Sequence, residues 1–177
     1  MERLQRGDVT AVRVLYEAHG RTAYGLALKI LRDTAEAEDI VHDAFVTVVK
    51  RADQYHSSRG SVAAWLITAV RNLALDRSRR RNRRNQIVEG ELRHAAAEES
   101  PSPERSLALV RDQERLREAM ASLPVAQRET LEVAFFEGLT YPEIAAREGV
   151  PLGTVKSRAA RALHALKDAL ERADPTE

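Results

Sequence analysis

The sequence predicts an all-α protein built of two small helical domains joined by a flexible linker. Apolar residues recur at spacings of three and four in both halves of the chain, as on one face of an α-helix. No segment alternates apolar and polar residues as a half-buried strand would. A length of 177 residues allows one ordinary domain or two small ones, so we expect domains at residues 9–84 and 106–172 and a linker at residues 85–105.

Three helices are predicted in the N-terminal domain. The first begins near Val12, and its apolar face comprises Val12, Leu15, Tyr16, Ala23, Leu26, Ala27, Ile30 and Leu31. The second spans residues 34–52, with Thr34 as its N-cap and acidic residues in the first turn, where the helix dipole favours them. A loop at residues 55–60 follows, and Ser61 is expected to cap a third helix. That helix is marked by Trp65, Leu66, Ala69, Val70 and Leu73.

The third helix leads into a strongly basic segment. Residues 71–84 contain seven arginines and one acid, a net charge of +6, whereas residues 89–104 contain five glutamates and one arginine, a net charge of −4. The acidic stretch is polar and ends in Ser-Pro-Ser-Pro, which is typical of a linker. The arginines adjoin Asn72 and the loop at 55–60, whose groups could stack on or bond to unpaired bases. This combination favours contact with single-stranded DNA over a merely solvated helix end, although Trp65 alone is more typical of a core residue.

Four short helices are predicted in the C-terminal domain. Thr140 and Glu143 form a capping box at the start of the third of them. The small residue Ala145, the turn residue Gly149 and the apolar Val155 then follow with the spacing of a helix-turn-helix, although any helical hairpin with a glycine turn could share it. The apolar stripes of this domain comprise Leu116, Ala119, Met120, Leu123, Leu131, Ala134, Phe135, Val155, Ala159, Leu163, Leu166 and Leu170. The second helix of the motif leaves polar side chains for phosphate and base edges, namely Thr154, Lys156, Ser157, Arg158 and Arg161.

Composition excludes several classes of function. The chain has no cysteine, which excludes disulfides, thiol catalysis and zinc fingers and suits a reducing cytoplasm. No signal peptide or membrane-spanning stretch is expected. Two carboxylate–histidine pairs have a spacing used in helical metal sites, Asp39 with His42 and Glu91 with His94, but no further pair of glutamates accompanies them. We therefore expect no metal, no cofactor and no catalytic site.

Two blocks of sequence resemble the extracytoplasmic-function (ECF) group of sigma-70 family transcription initiation factors. The first block comprises Ala37-Glu-Asp-Ile-Val-His-Asp-Ala-Phe45, Ser58-Arg-Gly-Ser61, Ala64-Trp-Leu66 and Arg71-Asn-Leu-Ala-Leu-Asp76. The second comprises Gly138-Leu-Thr-Tyr-Pro-Glu-Ile-Ala145 and Gly149-Val-Pro-Leu-Gly-Thr-Val-Lys-Ser-Arg158. Their order along the chain is much more specific than either block alone.

The resemblance implies a bacterial initiation factor, monomeric when free, whose partners are core RNA polymerase (its β and β′ subunits), promoter DNA and an anti-sigma factor. Binding of core polymerase would involve Asp39, His42, Asp43 and Val46. Recognition and opening of the promoter −10 element would involve Tyr55, His56, Ser57, Arg59, Ser61, Trp65, Asn72, Asp76, Arg77 and Arg80. The −35 element would meet Thr154, Lys156, Ser157, Arg158 and Arg161, and the acidic linker would follow the RNA-exit path of the polymerase.

One alternative stays open at the level of the sequence. A self-sufficient helix-turn-helix repressor or activator would use the N-terminal helices for dimerisation or for ligand binding. Tight binding to a duplex operator without polymerase would distinguish it from an initiation factor.

Overall fold

The computed structural model describes residues 2–6, 8, 10–88 and 107–173, with the backbone alone described for residues 2, 5, 85–88, 107–113 and 173. All regular structure within these ranges is helical, and the chain divides into two units, Met1–Glu98 and Glu99–Glu177. The prediction of an all-α chain with two small helical domains is confirmed. Residues 89–105 of the predicted linker, including Glu91 and His94, lie outside the described residues.

In its described residues, the N-terminal unit is a three-helix bundle that a short helix precedes in sequence. The helices are α1 (Glu2–Gln5), α2 (Thr10–Leu31), α3 (Thr34–Lys50) and α4 (Val62–Val88), and 3₁₀ turns occupy Ala52–Gln54 and Ser57–Arg59. Helices α2, α3 and α4 pack against one another in all three pairings. Alanines at their contacts allow the helix axes to approach closely. Fully buried side chains comprise Ala23, Ala27, Leu31, Ala37, Ala44, Val48, Leu66, Val70 and Ala74.

The cap of α3 differs from the prediction. Asp33, not Thr34, is the N-cap: its side chain accepts a hydrogen bond from the backbone N–H of Glu36 at 2.9 Å, and Thr34 is already the first helical residue. Aspartate is the stronger N-cap of the two residue types, which explains the choice. At the other end, α3 stops at Lys50 and the predicted last residue, Ala52, opens a 3₁₀ turn instead.

Helix α4 agrees with the prediction at its start and exceeds it at its end. Ser61 caps it, since its Oγ accepts a hydrogen bond from the backbone N–H of Ala64 at 3.1 Å. The helical backbone continues to Val88, past residue 85 where the linker was expected to begin. Arginine is a strong helix former, and Asp76 and Arg80 form an ion pair at 2.7 Å with the favourable i,i+4 spacing. The basic segment is therefore part of one long helix.

In the described part of the C-terminal unit, three helices pack around a fourth, which comes last in the sequence. These are α5 (Leu107–Ala121), α6 (Val125–Glu132), α7 (Tyr141–Glu148) and α8 (Leu152–Ala173), with a π-helical turn at Val133–Glu137. Helix α8 packs against α5, α6 and α7. The buried side chains comprise Ala119, Leu123, Thr130, Ile144, Ala145, Val155, Ala159 and Ala162.

Some of the expected core residues of this unit are exposed. Leu163 is 55% exposed and Leu116 48%, and Phe135 and Leu170 are also on the surface. The buried stripe of α8 runs through Ala162 instead, at the three-and-four spacing from Val155. The leucines flank this stripe, and the prediction was wrong here because it ranked hydrophobicity above register. In the other unit, Tyr16 is also exposed, although its ring contacts Phe45.

Candidate polymerase and nucleic-acid interfaces

One face of α3 is exposed and carries the residues predicted to bind polymerase. Asp39, His42, Asp43 and Val46 are all exposed, and their spacing of three, four and seven places them side by side. The opposite face of α3 is buried in the bundle through residues such as Ile40, Ala44 and Val48. Because one face of α3 is buried, the opposite face is left as an exposed acidic surface that includes one apolar side chain, Val46.

The loop between α3 and α4 is closed by its own hydrogen bonds. The Tyr55 hydroxyl donates to the Gly60 carbonyl at 3.0 Å, and the Arg59 backbone N–H donates to the His56 carbonyl at the same distance. Gly60 has φ +131°, a conformation that L side chains rarely adopt. The loop therefore has a defined shape, while its side chains at His56, Ser57, Arg59 and Ser61 are exposed.

An aromatic pair attaches this loop to α4. The rings of Tyr55 and Trp65 lie 5.6 Å apart between centroids and are tilted by 48°. Both residues are half-buried, so Trp65 supports the loop and still presents part of its ring to solvent. Trp65 is thus neither fully buried in the core nor fully exposed, and its contact with a base stays a prediction.

Helix α4 continues the surface that begins at Trp65. Residues 65, 72 and 76 lie within about 40° of one another around the helix axis, since each residue advances by about 100°. Asn72 and Asp76 are exposed, and Asp76 pairs with Arg80 one turn further on. The structure brings Trp65, Asn72, Asp76 and Arg80 onto one strip about 22 Å long, at 1.5 Å per residue, and Arg77 is half-buried beside it.

Two arginines of the basic segment, Arg71 and Arg81, are partly buried against the helical bundle. Arg81 Nη1 donates to Glu36 Oε2 at 2.9 Å, and its Nη2 donates to the Leu31 carbonyl at 3.0 Å. Burial, and then the charge of Arg79, lower the pKa of the Arg71 guanidinium. Sequence reasoning missed the role of Arg81, although a signal exists: Arg81 follows buried Ala74 by seven residues and so continues the buried stripe of α4.

The motif of α7 and α8 has the local geometry that its sequence predicts. The Thr140 side chain accepts from the backbone N–H of Glu143, and the Glu143 carboxylate accepts in return from the backbone N–H of Thr140 at 2.7 Å, which confirms the capping box. Gly149 ends α7 in the left-handed region at φ +66°. Ala145 and Val155 are buried in one cluster with Ile144. The cap, the turn and the apolar contact together define the start and direction of α8.

The side chains of α8 that are predicted to face DNA differ in their exposure to solvent. Lys156 and Arg161 are exposed, whereas Thr154, Ser157 and Arg158 are half-buried. Thr154, Ser157 and Arg161 share one face, and Lys156 lies about 100° around the helix from Ser157. Arg158 is already engaged, because its Nη1 lies 2.7 Å from Glu148 Oε2.

Neither a membrane span nor a metal site occurs in the described ranges. No helix there is both long and apolar enough to cross a membrane. No group of three or more histidines, aspartates or glutamates in the same residues is arranged to hold a metal ion.

Comparison with known proteins matches both units. The family model of sigma-70 region 2 matches residues 15–84, and that of sigma-70 region 4 matches residues 113–166. The chain is 33% identical over 174 residues to the ECF RNA polymerase sigma factor SigK of Mycobacterium bovis, covering 97% of this chain and 91% of that protein. SigK of Mycobacterium sp. strain KMS is 33% identical over 166 residues, covering 92% and 84% respectively.

A solved structure is also similar along most of its length. It is that of Rhodobacter sphaeroides SigE in complex with the anti-sigma ChrR, with 30% identity, coverage of 94% of this chain and 93% of that chain, and a TM-score of 0.46. The two region models in this order and the identity to SigK over nearly the whole length decide the family. The chain belongs to the ECF RNA polymerase sigma factors of the sigma-70 family.

Proposed function

We propose that this sigma factor binds core RNA polymerase through α3, reads and helps to open the −10 element with its N-terminal unit, and reads the −35 element with α8. The observation that carries the proposal is that one chain presents two different surfaces, each suited to nucleic acid in a different form. One combines a closed loop with a basic helix, which suits unpaired bases, and the other is a helix-turn-helix, which suits duplex DNA.

The exposed face of α3 supports the assignment to polymerase. Asp39 and Asp43 would repel DNA phosphates, so a protein surface is the better partner for them. Val46 is 36% exposed beside them and adds apolar area that a protein partner would cover. A mixture of charged and apolar groups is typical of a non-obligate protein interface.

The loop at 55–60 and the strip on α4 support base reading at the −10 element. Reading an unpaired base requires donors and acceptors held in place, and the hydrogen bond from Tyr55 to Gly60 holds the loop. Asn72 offers both a donor and an acceptor on the exposed strip. The arginines further along α4 would attract the backbone of the separated strand.

Helix α8 supports reading of the −35 element. Lys156 and Arg161 project from it into solvent, where a phosphate or a base edge could meet them. Ser157 lies between them in sequence on the face of Arg161. Such a short set of side chains discriminates weakly, since each good bidentate contact adds about 1 to 3 kcal/mol.

The remaining parts of the proposal follow from the role of an initiation factor. The chain would act in the cytoplasm, would have no catalytic activity of its own, and would be controlled by an anti-sigma factor. A stand-alone repressor or activator is not favoured, because both sigma-70 regions match.

Run-off transcription tests the proposal directly. Core polymerase is incubated with a panel of promoter fragments, with and without the purified chain, and transcripts are expected only when the chain is present. The double variant Asp39→Asn/Asp43→Asn is expected to lose assembly with core polymerase. Glu38→Gln is the matched control, because Glu38 is exposed on the same helix about 90° from the centre of that face. Transcripts that do not depend on the chain, together with tight operator binding by the chain alone, would contradict the proposal.

A further inference from the structure

Arg158 forms a shorter and less exposed ion pair than His164 and Lys167, the other paired side chains of α8. Its guanidinium lies 2.7 Å from the Glu148 carboxylate, and the two side chains are only 26% and 27% exposed. Lys156 and Arg161, by contrast, are exposed. The pair therefore distinguishes Arg158 from the side chains that are open to DNA.

The pair spans the turn of the helix-turn-helix. Glu148 is the last residue of α7, and Arg158 lies in the second turn of α8. Ala145 and Val155 make the buried contact between these two helices and are also ten residues apart, one helical turn earlier on each helix. Two contacts, one apolar and one ionic, resist rotation of α8 about its own axis better than one contact does.

A glutamate at the end of α7 is unfavourable unless a cation pairs with it. A negative charge at the C-terminal end of a helix is unfavourable with the helix dipole. A carboxylate near the DNA-facing helix would also repel phosphates. Pairing with Arg158 offsets both effects and orders a long side chain that would otherwise be free to move.

We propose that Glu148 and Arg158 are positioning residues that set the rotation of α8, so that Ser157 and Arg161 meet the −35 element. This inference rests on the proposed −35 function. It differs from the resemblance, which implies that Arg158 is itself a DNA contact. In the positioning role, Arg158 acts through Glu148, and its charge is used within the protein.

The substitution Glu148→Gln separates the two roles because they predict opposite signs. Removing an acid near DNA strengthens binding if only long-range electrostatics matter. If the pair positions α8, the same substitution weakens selective binding, by about twofold to fivefold for a partly exposed ion pair. The measurement is the affinity of the holoenzyme, formed with the full chain, for a promoter that depends on it, compared with the same promoter carrying a scrambled −35 element.

A charge swap provides the second arm. The variant Glu148→Arg/Arg158→Glu rebuilds the pair in reverse and is expected to recover at least half of the selectivity that Arg158→Glu alone loses. Adding Glu148→Gln to Arg158→Gln is expected to cause no further loss of selectivity, because the two residues act as one pair, whereas a direct DNA contact by Arg158 would make its loss independent of Glu148. Glu129→Gln, an exposed acid on α6, is the control for charge alone, and thermal unfolding of each variant reports its folding.

The outcomes separate this inference from the function on which it rests. Wild-type holoenzyme that does not distinguish the intact from the scrambled −35 element would overturn both. Normal selectivity in the wild type with equal or tighter selective binding by Glu148→Gln would overturn the inference alone. A swapped variant that binds as poorly as Arg158→Glu, or a loss in Arg158→Gln that does not depend on Glu148, would likewise overturn the inference.

Discussion

Among the arginines of α4, Arg81 illustrates how single residues of one charge cluster acquire different roles. It bonds to the Glu36 carboxylate and to the carbonyl of Leu31, the last residue of α2. A cation at a helix C-terminus is favourable with the helix dipole and satisfies a carbonyl that has no partner within the helix. The residue after Leu31, Arg32, has φ +56°, so Arg81 supports a strained corner of the chain.

Replacing Arg81 is expected to destabilise the fold, whereas replacing a neighbour in the cluster is not. Arg81→Gln loses two charge-assisted hydrogen bonds and should lower the free energy of unfolding by about 1 to 2 kcal/mol. Arg84→Gln, at an exposed position of the same helix, should change it by less than about 0.5 kcal/mol. Urea denaturation of both variants measures the difference. Equal losses would mean that Arg81 contributes only charge.

Asp8 gives a pH-dependent test at the same scale. Its carboxylate accepts hydrogen bonds from the Thr10 side chain at 2.6 Å and from Arg3 Nε at 2.8 Å, and these bonds lower its pKa from 3.8 to about 2. A lowered pKa in the folded state means that the stabilisation is complete above pH 3.8 and is lost as the pH falls toward 2. The difference in melting temperature between wild type and Asp8→Asn should therefore be constant from about pH 7 to about pH 5 and shrink below about pH 4. A difference that stayed constant down to about pH 2.5 would contradict this assignment.

At the scale of elements, the turn between α7 and α8 depends on the backbone conformation of one glycine. Gly149 has φ +66°, while Gly153 is an ordinary helical residue of α8, and an added Cβ would meet no atom within 4 Å at either position. Gly149→Ala should therefore destabilise the protein by about 1 to 2 kcal/mol through backbone strain alone. Gly153→Ala should stabilise it by about 0.5 kcal/mol through helix propensity. Thermal unfolding of the two variants should show shifts of opposite sign, and a shift in the same direction would place the turn outside the left-handed region.

The elements themselves were predictable from the sequence wherever a local rule decided them. The capping box at Thr140, the cap at Ser61 and the turn at Gly149 depend on neighbouring residues, and the structure confirms all three. Leu163 and Arg81 depended on tertiary packing instead. Hydrophobicity indicated a buried Leu163 and charge an exposed Arg81, but the register of each helix against its neighbours decided otherwise.

The candidate sites also combine features that the sequence predicts with features that depend on tertiary structure. Exposure of the face at Asp39 to Val46 followed from helical periodicity and could be read from the sequence. The closure of the loop by Tyr55 and Gly60 and the pairing of Arg158 with Glu148 could not, because both bonds join residues whose meeting depends on the conformation of a turn. Which side chains contact polymerase or DNA stays a prediction.

For the whole molecule, the important property is that two units with separate cores lie on one chain. The net charge is only +1, yet the segment at residues 71–84 carries +6. We therefore expect the distribution of charge, and not its sum, to attract the chain to DNA. Each proposed reader is weak alone. Placing both on one chain raises the effective concentration of the second reader once the first has bound, which makes the combined recognition selective.

This division of labour predicts that variants of the two readers fail on different templates. Lys156→Ala/Arg161→Ala should weaken holoenzyme binding to a duplex promoter and lower its salt slope by about 0.9 for each phosphate that is no longer bound. The same variant should equal the wild type on a template that lacks the −35 element, because the two side chains have no target there.

Asn72→Ala should impair initiation on both duplex templates, with and without the −35 element. It should not recover when the −10 region is opened in advance, since opening replaces melting but not base reading. Alanine maintains the helix at position 72, so assembly with core polymerase should be normal and serves as the control. Full recovery of Asn72→Ala on the opened template would assign Asn72 to melting and not to base reading, and a defect of the −35 variant on the template without that element would remove the separation between the two readers.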